Sequence, residues 1–167
     1  GQNRRGGGLE HLNSTNISFK RYDSAASSDY RRLIYVIAHE VFHAWNVKRI
    51  RPSILGPFDY SRPQHTRNLY ISEGITSYYG MLTLARQGIW TREVFYEELS
   101  KEIKSLQTSP GRLITSAEDA SWNAWITPGN KAHTFIDFYT KGNLLGLLLD
   151  MEIRERTNNR KNLDDVF

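Results

Sequence analysis

Cysteine is absent from this chain of 167 residues. Without thiols the protein forms no disulfide bond, and any metal ion must be held by histidine and carboxylate side chains. The sequence also lacks an apolar run of about eighteen residues, so we expect no membrane-spanning helix. No signal peptide or other targeting segment is recognisable, which leaves a cytoplasmic and a periplasmic location equally open.

A strong excess of one charge is also missing. The chain carries 22 Lys and Arg against 18 Asp and Glu, a formal net charge of +4. No basic run with interleaved aromatic residues accompanies this balance, so we expect no nucleic-acid partner. The length suits one domain with a proper core and is too short for two ordinary ones. We interpret the basic run Lys48 to Arg51 as a solvated helix end.

Apolar spacing predicts a mainly helical chain of the α+β class. Only the stretch Leu9 to Lys20 alternates loosely, as a β-strand or hairpin arm does, which places a small β element at the N-terminus. Residues 50–69 carry three prolines and predict an irregular connection. The predicted helices are Arg31 to Lys48 with Ser28 as N-cap, Leu69 to Gln87, Thr91 to about Gln107, Ser116 to Ile126, and a mostly buried leucine-rich helix from about Asp137.

The first of these helices contains a metal-ligand pattern. His39 and His43 stand four residues apart, so both project from one face of a helix and can bind one zinc ion. Glu40 between them can reach a zinc-bound water as general base. Glu73 follows His43 by 30 residues, in a second helix, and would be the third ligand. A fourth position is then left open for water and substrate.

Two simpler interpretations compete with this one. The histidines could be ordinary surface residues, but Glu40 and two imidazoles lie inside a strongly apolar helix, where burial without partners is costly. A structural zinc site would normally take four protein ligands, whereas this pattern supplies three. We therefore favour a catalytic zinc, whose hydrolytic reaction also needs a donor for the developing oxyanion, such as a tyrosine hydroxyl.

Four ordered segments resemble the glycyl aminopeptidase family of zinc metallopeptidases. They are GGLEH at 7–11, HEVFHAWNVKRIRP at 39–52, EGITSYYG at 73–80 and YTKG at 139–142. The family belongs to the gluzincins, with thermolysin and aminopeptidase N as relatives. The resemblance implies a zincin, thermolysin-like helical catalytic domain that uses Zn²⁺ to hydrolyse peptides with a free N-terminus.

Further site residues follow from the resemblance. It implies that Glu10 binds the substrate's α-ammonium group, although a plain strand carboxylate is the alternative. Gly7 and Gly8 would line the peptide-binding edge strand. Tyr139 would stabilise the transition state, with a core tyrosine as the alternative. The sequence departs from thermolysin-like enzymes at Ser77, where they place an aspartate that orients the first histidine.

The resemblance also implies a larger parent protein. We expect residues 1–167 to be a single catalytic domain whose flanking partners are an N-terminal β-domain and a C-terminal PDZ domain. The expected reaction is removal of small, glycine-like N-terminal residues. A zinc endopeptidase, in which Glu10 does not recognise an amine, and a non-catalytic zinc-containing peptide-binding relative remain open.

Overall fold

The computed structural model describes residues 7–19, 27–126 and 134–167. Helices dominate these ranges, and the prediction of a mainly helical chain with a small N-terminal β element is confirmed. Within the described ranges, no helix combines the length and apolar character needed to cross a membrane. The α-helices described are α1 (Ser28–Phe42), α2 (Thr76–Arg86), α3 (Arg92–Thr108), α4 (Ala117–Trp122) and α5 (Phe138–Arg156).

The β element is an antiparallel hairpin of β1 (Gly7–Glu10) and β2 (Thr15–Ser18). Gly8 pairs with Ile17 and Glu10 with Thr15. In the described part of the chain, β1 has a strand partner on one side only, and it lies against α1. The hairpin therefore brings Glu10 and an unpaired strand edge to the helix that carries His39 and His43.

Helix α1 is shorter than predicted at its C-terminal end. It starts after Ser27, whose hydroxyl accepts a hydrogen bond from the Tyr30 amide at 3.1 Å, and it ends at Phe42 instead of Lys48. Beyond Phe42 the backbone continues as irregular helical turns. In this segment the Asn46 carbonyl oxygen accepts hydrogen bonds from the side chains of His43 and Thr76. His43 keeps helical backbone angles, so it still lies one turn from His39.

The second predicted helix begins with a π-helical turn, Tyr70–Ile75, that continues directly into α2. This turn carries Glu73 and packs closely against α5. A Cβ built on Gly74 would lie 2.3 Å from the Gly142 Cα atom, and one built on Gly142 would lie 2.2 Å from the Tyr70 carbonyl oxygen. Glycine at both positions lets the two backbones touch, which brings Tyr139, one turn before Gly142, close to Glu73.

Helix α2 is the centre of the core. One side packs Ile75, Tyr78 and Tyr79 against Leu163, and the other packs Met81 and Leu84 against Trp90. Helix α3 follows with Thr91 as its predicted N-cap, accepting a hydrogen bond from the Val94 amide at 3.3 Å. The core thus holds the π-helical turn and α1 in a fixed relation.

The prediction that the leucine-rich helix α5 is mostly buried is wrong. Its fully buried residues are small or polar and are Gly142, Asn143, Gly146 and Asp150. The large apolar residues Leu145, Leu148, Leu149 and Met151 face outward and are 39–59% exposed. Close backbone packing on the π-helical turn selects the glycine side of the helix for burial, which leaves Leu145, Leu148 and Leu149 outside, while Leu147 packs against the core.

Candidate metal centre and active site

The three predicted ligands lie close together. The Nε2 atoms of His39 and His43 lie 3.0 Å apart, and Glu73 Oε2 lies 3.2 Å from the first and 3.3 Å from the second. His39 and His43 are buried, and the Glu73 side chain is 18% exposed. Helix spacing aligns the two imidazoles, and the π-helical turn delivers the carboxylate to them.

The donor set fits a tetrahedral metal ion. Bonds of about 2.1 Å at tetrahedral angles place ligand atoms about 3.4 Å apart, close to the separations found between these atoms. His43 Nδ1 lies 2.7 Å from the Asn46 carbonyl oxygen, which can only accept a hydrogen bond. Neutral His43 therefore carries its proton on Nδ1 and turns an Nε2 lone pair toward the other ligand atoms. A cation at the centre relieves the repulsion among these lone pairs.

Glu73 and His43 shift each other's pKa values. Burial alone would raise the pKa of Glu73, but its close contacts with the His39 and His43 rings outweigh burial and lower it to about 2. Burial lowers the pKa of His43, yet the Glu73 carboxylate and the Asn46 carbonyl outweigh burial and raise it above its ordinary value. In the described residues, the other group of possible ligands is Glu10, Glu40 and His43, which shares His43 with the first.

Glu40 lies beside the three ligands, and one of its carboxylate oxygens makes no hydrogen bond to the described residues. Its Oε2 atom is buried and has no hydrogen-bond partner among the described residues. Burial raises the pKa of the Glu40 carboxyl above its ordinary value, although the nearby His39 and His43 rings oppose this shift. A buried carboxylate oxygen without a partner is costly, so this atom is suited to a water molecule or substrate group in the cavity.

The site opens into a cavity of about 720 Å³, lined by Gly7, Gly8, Leu9, Glu10, Arg32, Tyr35, Val36, His39, Glu40, His43, Leu69, Glu73, Trp125, Phe138 and Tyr139. All eight residues singled out from the sequence border this cavity. Tyr139 lies with its ring centroid 6.1 Å from that of His39. Burial and the neighbouring Glu73 carboxylate raise the pKa of Tyr139 well above its ordinary value, which keeps its hydroxyl a hydrogen-bond donor.

Glu10 enters the cavity with a partner that the sequence did not predict. Its Oε1 atom lies 3.1 Å from Lys48 Nζ, and the Lys48 side chain is 11% exposed. The Lys48 ammonium also lies 4.9 Å from the Phe58 ring centroid. The interpretation of Lys48 as part of a solvated helix end is therefore wrong, because this side chain is largely buried against Glu10 of β1 and Phe58.

Sequence reasoning assigned no role to two further residues that touch the ligands. Ser77 Oγ lies 3.3 Å from His39 Nδ1, and the Asn46 carbonyl holds His43. Asn46 is fixed in turn, since its side-chain amide donates to the Ile71 carbonyl at 2.9 Å. The position of Ser77, four residues after Glu73, was the sequence signal for its contact with His39. No sequence signal marks the contact of the Asn46 carbonyl with His43.

A histidine–carboxylate cluster next to a buried glutamate has the donors that a metal-dependent hydrolase would need. Comparison with known proteins identifies a family of peptidases. The model of the M61 glycyl aminopeptidase family matches residues 32–145. The chain belongs to this family of peptidases, which confirms the resemblance seen in its motifs. No match was found among curated proteins.

A solved structure shares the fold. The crystal structure of an aminopeptidase N family protein from Idiomarina loihiensis superposes with a TM-score of 0.88 at 27% sequence identity. The match covers 97% of this chain and 29% of that chain. The protein described here thus spans less than a third of the length of that relative.

Proposed function

We propose that this chain is the catalytic domain of a zinc-dependent peptidase that removes N-terminal residues from peptides. The observation that carries the proposal is the convergence of His39 Nε2, His43 Nε2 and Glu73 Oε2 within 3.0–3.3 Å of one another. These three residues would hold Zn²⁺. When bound, the ion polarises the scissile carbonyl and lowers the pKa of a water molecule.

Glu40 is the proton carrier in this proposal. Its buried Oε2 atom has no partner among the described residues and is therefore available to accept a proton from the attacking water. The carboxyl group then delivers the proton to the leaving amine. Burial, which raises the Glu40 pKa, makes the carboxylate a stronger base and so favours the first of these two transfers.

Tyr139 is the proposed electrophilic donor. Its hydroxyl interacts with Glu73, and its raised pKa keeps the phenol protonated. When the scissile carbonyl becomes tetrahedral, this hydroxyl can donate a hydrogen bond to the oxygen that gains negative charge. The close packing of Gly74 on Gly142 supports this placement, because it sets the distance between the two elements.

Removal of N-terminal residues depends on β1. The substrate backbone would lie along the edge of β1 at Gly7 and Gly8, and the Glu10 carboxylate would bind its α-ammonium group. The preference for small, glycine-like residues comes from the family alone. The expected flanking domains of a longer parent chain also stay a prediction.

One observation favours a second candidate, a zinc endopeptidase. Lys48 already neutralises Glu10 at 3.1 Å, so the carboxylate that should recognise a free amine has a cation beside it. An endopeptidase would need no amine recognition at this position.

Two measurements test the proposal. A peptide with a free N-terminus is compared with its N-acetylated form; an aminopeptidase cleaves only the first, whereas an endopeptidase cleaves both. In parallel, Glu40→Gln should keep its zinc and lower kcat by about 10²- to 10⁴-fold. Glu97→Gln on the exposed face of α3 serves as the control and should retain activity. Unchanged turnover in Glu40→Gln, or a zinc-loaded wild-type protein that cleaves neither peptide, would overturn the proposed role.

A further inference from the structure

Ser77 connects two of the three proposed zinc ligands. Its Oγ atom lies 3.3 Å from His39 Nδ1 and 2.8 Å from the backbone carbonyl oxygen of Glu73. The residue is 2% exposed, so water does not compete for either bond. Ser77 thus contacts the ring of one ligand and the backbone of another.

The protons of this arrangement can be assigned from donor and acceptor chemistry. A carbonyl oxygen only accepts, so the single hydroxyl proton of Ser77 points to Glu73. The Ser77 oxygen can then only accept from His39, whose proton must therefore sit on Nδ1. The remaining ring nitrogen, Nε2, presents its lone pair to His43 and Glu73 in the cavity.

Neighbouring residues hold Ser77 in this position. The Tyr35 hydroxyl interacts with that of Ser77, and the Tyr35 ring stacks on Trp90 with centroids 6.2 Å apart. Ser77 also lies on α2, whose flanking residues form the core. The hydroxyl is therefore part of a packed region and not a mobile surface group.

We propose that Ser77 is a positioning residue for metal binding, whose hydroxyl holds His39 in the Nδ1-protonated form with Nε2 aimed at the metal. The inference rests on the proposed zinc site. Groups that orient a ligand in this way typically change metal affinity by about 10- to 100-fold. Here the orienting group is a neutral hydroxyl, so it fixes the ring without adding a negative charge next to Glu73.

An ordinary structural role must be separated from this one, because a buried serine often bonds the carbonyl four residues earlier. Ser121 provides the matched control. It is 1% exposed, and its hydroxyl donates to the Ala117 carbonyl at 2.7 Å and accepts from the Tyr70 amide at 3.0 Å, at the start of the turn that carries Glu73, without touching a proposed ligand. Ser121→Ala therefore removes the same kind of helix bond as Ser77→Ala and leaves the histidines alone.

The test measures zinc affinity by competition with a chromophoric chelator. We expect Ser77→Ala to raise the zinc Kd by about 10-fold or more and Ser121→Ala to leave it within about 2-fold of wild type. Thermal unfolding of the metal-free variants shows whether both have lost similar stability. Equal zinc affinities in the two variants would overturn the inference.

A second measurement does not depend on zinc or on a variant that folds. Long-range ¹H–¹⁵N correlation spectra of the metal-free wild-type protein report which nitrogen of each neutral histidine carries the proton. We expect the Nδ1-protonated form for His39, and an Nε2-protonated His39 would refute the inference. If the wild-type protein instead binds no zinc while His39 is Nδ1-protonated, the proposed function fails and the assigned hydrogen bond stands.

Discussion

The carboxylate of Glu10 lies 3.1 Å from the ammonium of Lys48, at the wall of the cavity that holds the candidate metal centre. This pair places a positive charge where an aminopeptidase would bind the positive N-terminus of its substrate. The ammonium group of an incoming substrate must either share the Glu10 carboxylate with Lys48 or displace Lys48 from it. The choice between an aminopeptidase and an endopeptidase therefore depends on this contact.

Lys48→Met should improve binding of peptides with a free N-terminus. Removing a like charge from a partly exposed subsite is expected to relieve about 1 kcal/mol of repulsion, which lowers KM for such peptides roughly 5-fold. N-acetylated peptides should show no change. Arg49→Met loses the same charge at the neighbouring exposed position and is the control. A rise in KM for the free-amine peptide would mean that Lys48 orients Glu10 instead of competing for it.

Gly8→Ala should impair catalysis without removing the metal. A Cβ at this position would lie 2.3 Å from the Glu40 side chain, so Glu40 or β1 must move. Displacing a catalytic group by about 1 Å can cost about 100-fold in rate. Gly7→Ala is the matched control for kcat, since a Cβ there meets nothing within 4 Å and leaves Glu40 in place, whereas KM reports any effect on peptide binding along β1. Steady-state kinetics of the two variants, with zinc content measured in each, check the prediction, which fails if both retain wild-type kcat.

Tyr139→Phe should lower kcat by about 100-fold or more while leaving zinc bound, because one donor to the developing oxyanion is lost. KM should change little, since the hydroxyl acts mainly on the transition state. Phe138 is adjacent and already lacks a hydroxyl, so Phe138→Leu tests the effect of disturbing the same helix start. Equal losses of kcat in the two variants would contradict a specific role for the hydroxyl.

Asp150 should make stability depend on pH in acid. Burial raises the pKa of this carboxyl, but hydrogen bonds from Tyr78, the Leu163 amide and Arg154 outweigh burial and lower it below the ordinary value. A carboxyl with a depressed folded pKa stabilises the protein above its unfolded pKa, near 3.9, and this contribution is lost as the pH falls through the folded value.

Asp150→Asn should therefore cost about 2 kcal/mol of unfolding free energy at pH 7 and less near pH 3. Thermal midpoints from pH 3 to 7 measure the difference, with Glu152→Gln, exposed on the same helix, as control. A constant gap between Asp150→Asn and wild type over this range would show that the carboxylate charge contributes nothing.

Residues close in sequence could be placed without a structure. The spacing of His39 and His43 predicts that both lie on one helix face, and apolar periodicity predicts the helices that carry the site. Contacts between distant elements could not be placed in this way. The Glu10–Lys48 pair joins β1 to the segment after Phe42, and the outward leucines of α5 arise from glycine packing on the π-helical turn. Neither depends on a local pattern, so neither could be read from the sequence.

The most direct test of the account is a crystal structure of the zinc-loaded protein with anomalous diffraction at the zinc edge, paired with metal analysis of the same sample. We expect one zinc per chain, bound at about 2.0–2.2 Å by His39 Nε2, His43 Nε2 and a Glu73 oxygen, with a further position left to solvent. A zinc ion that lacks Glu73 as a ligand, or a folded protein that binds no zinc, would contradict it.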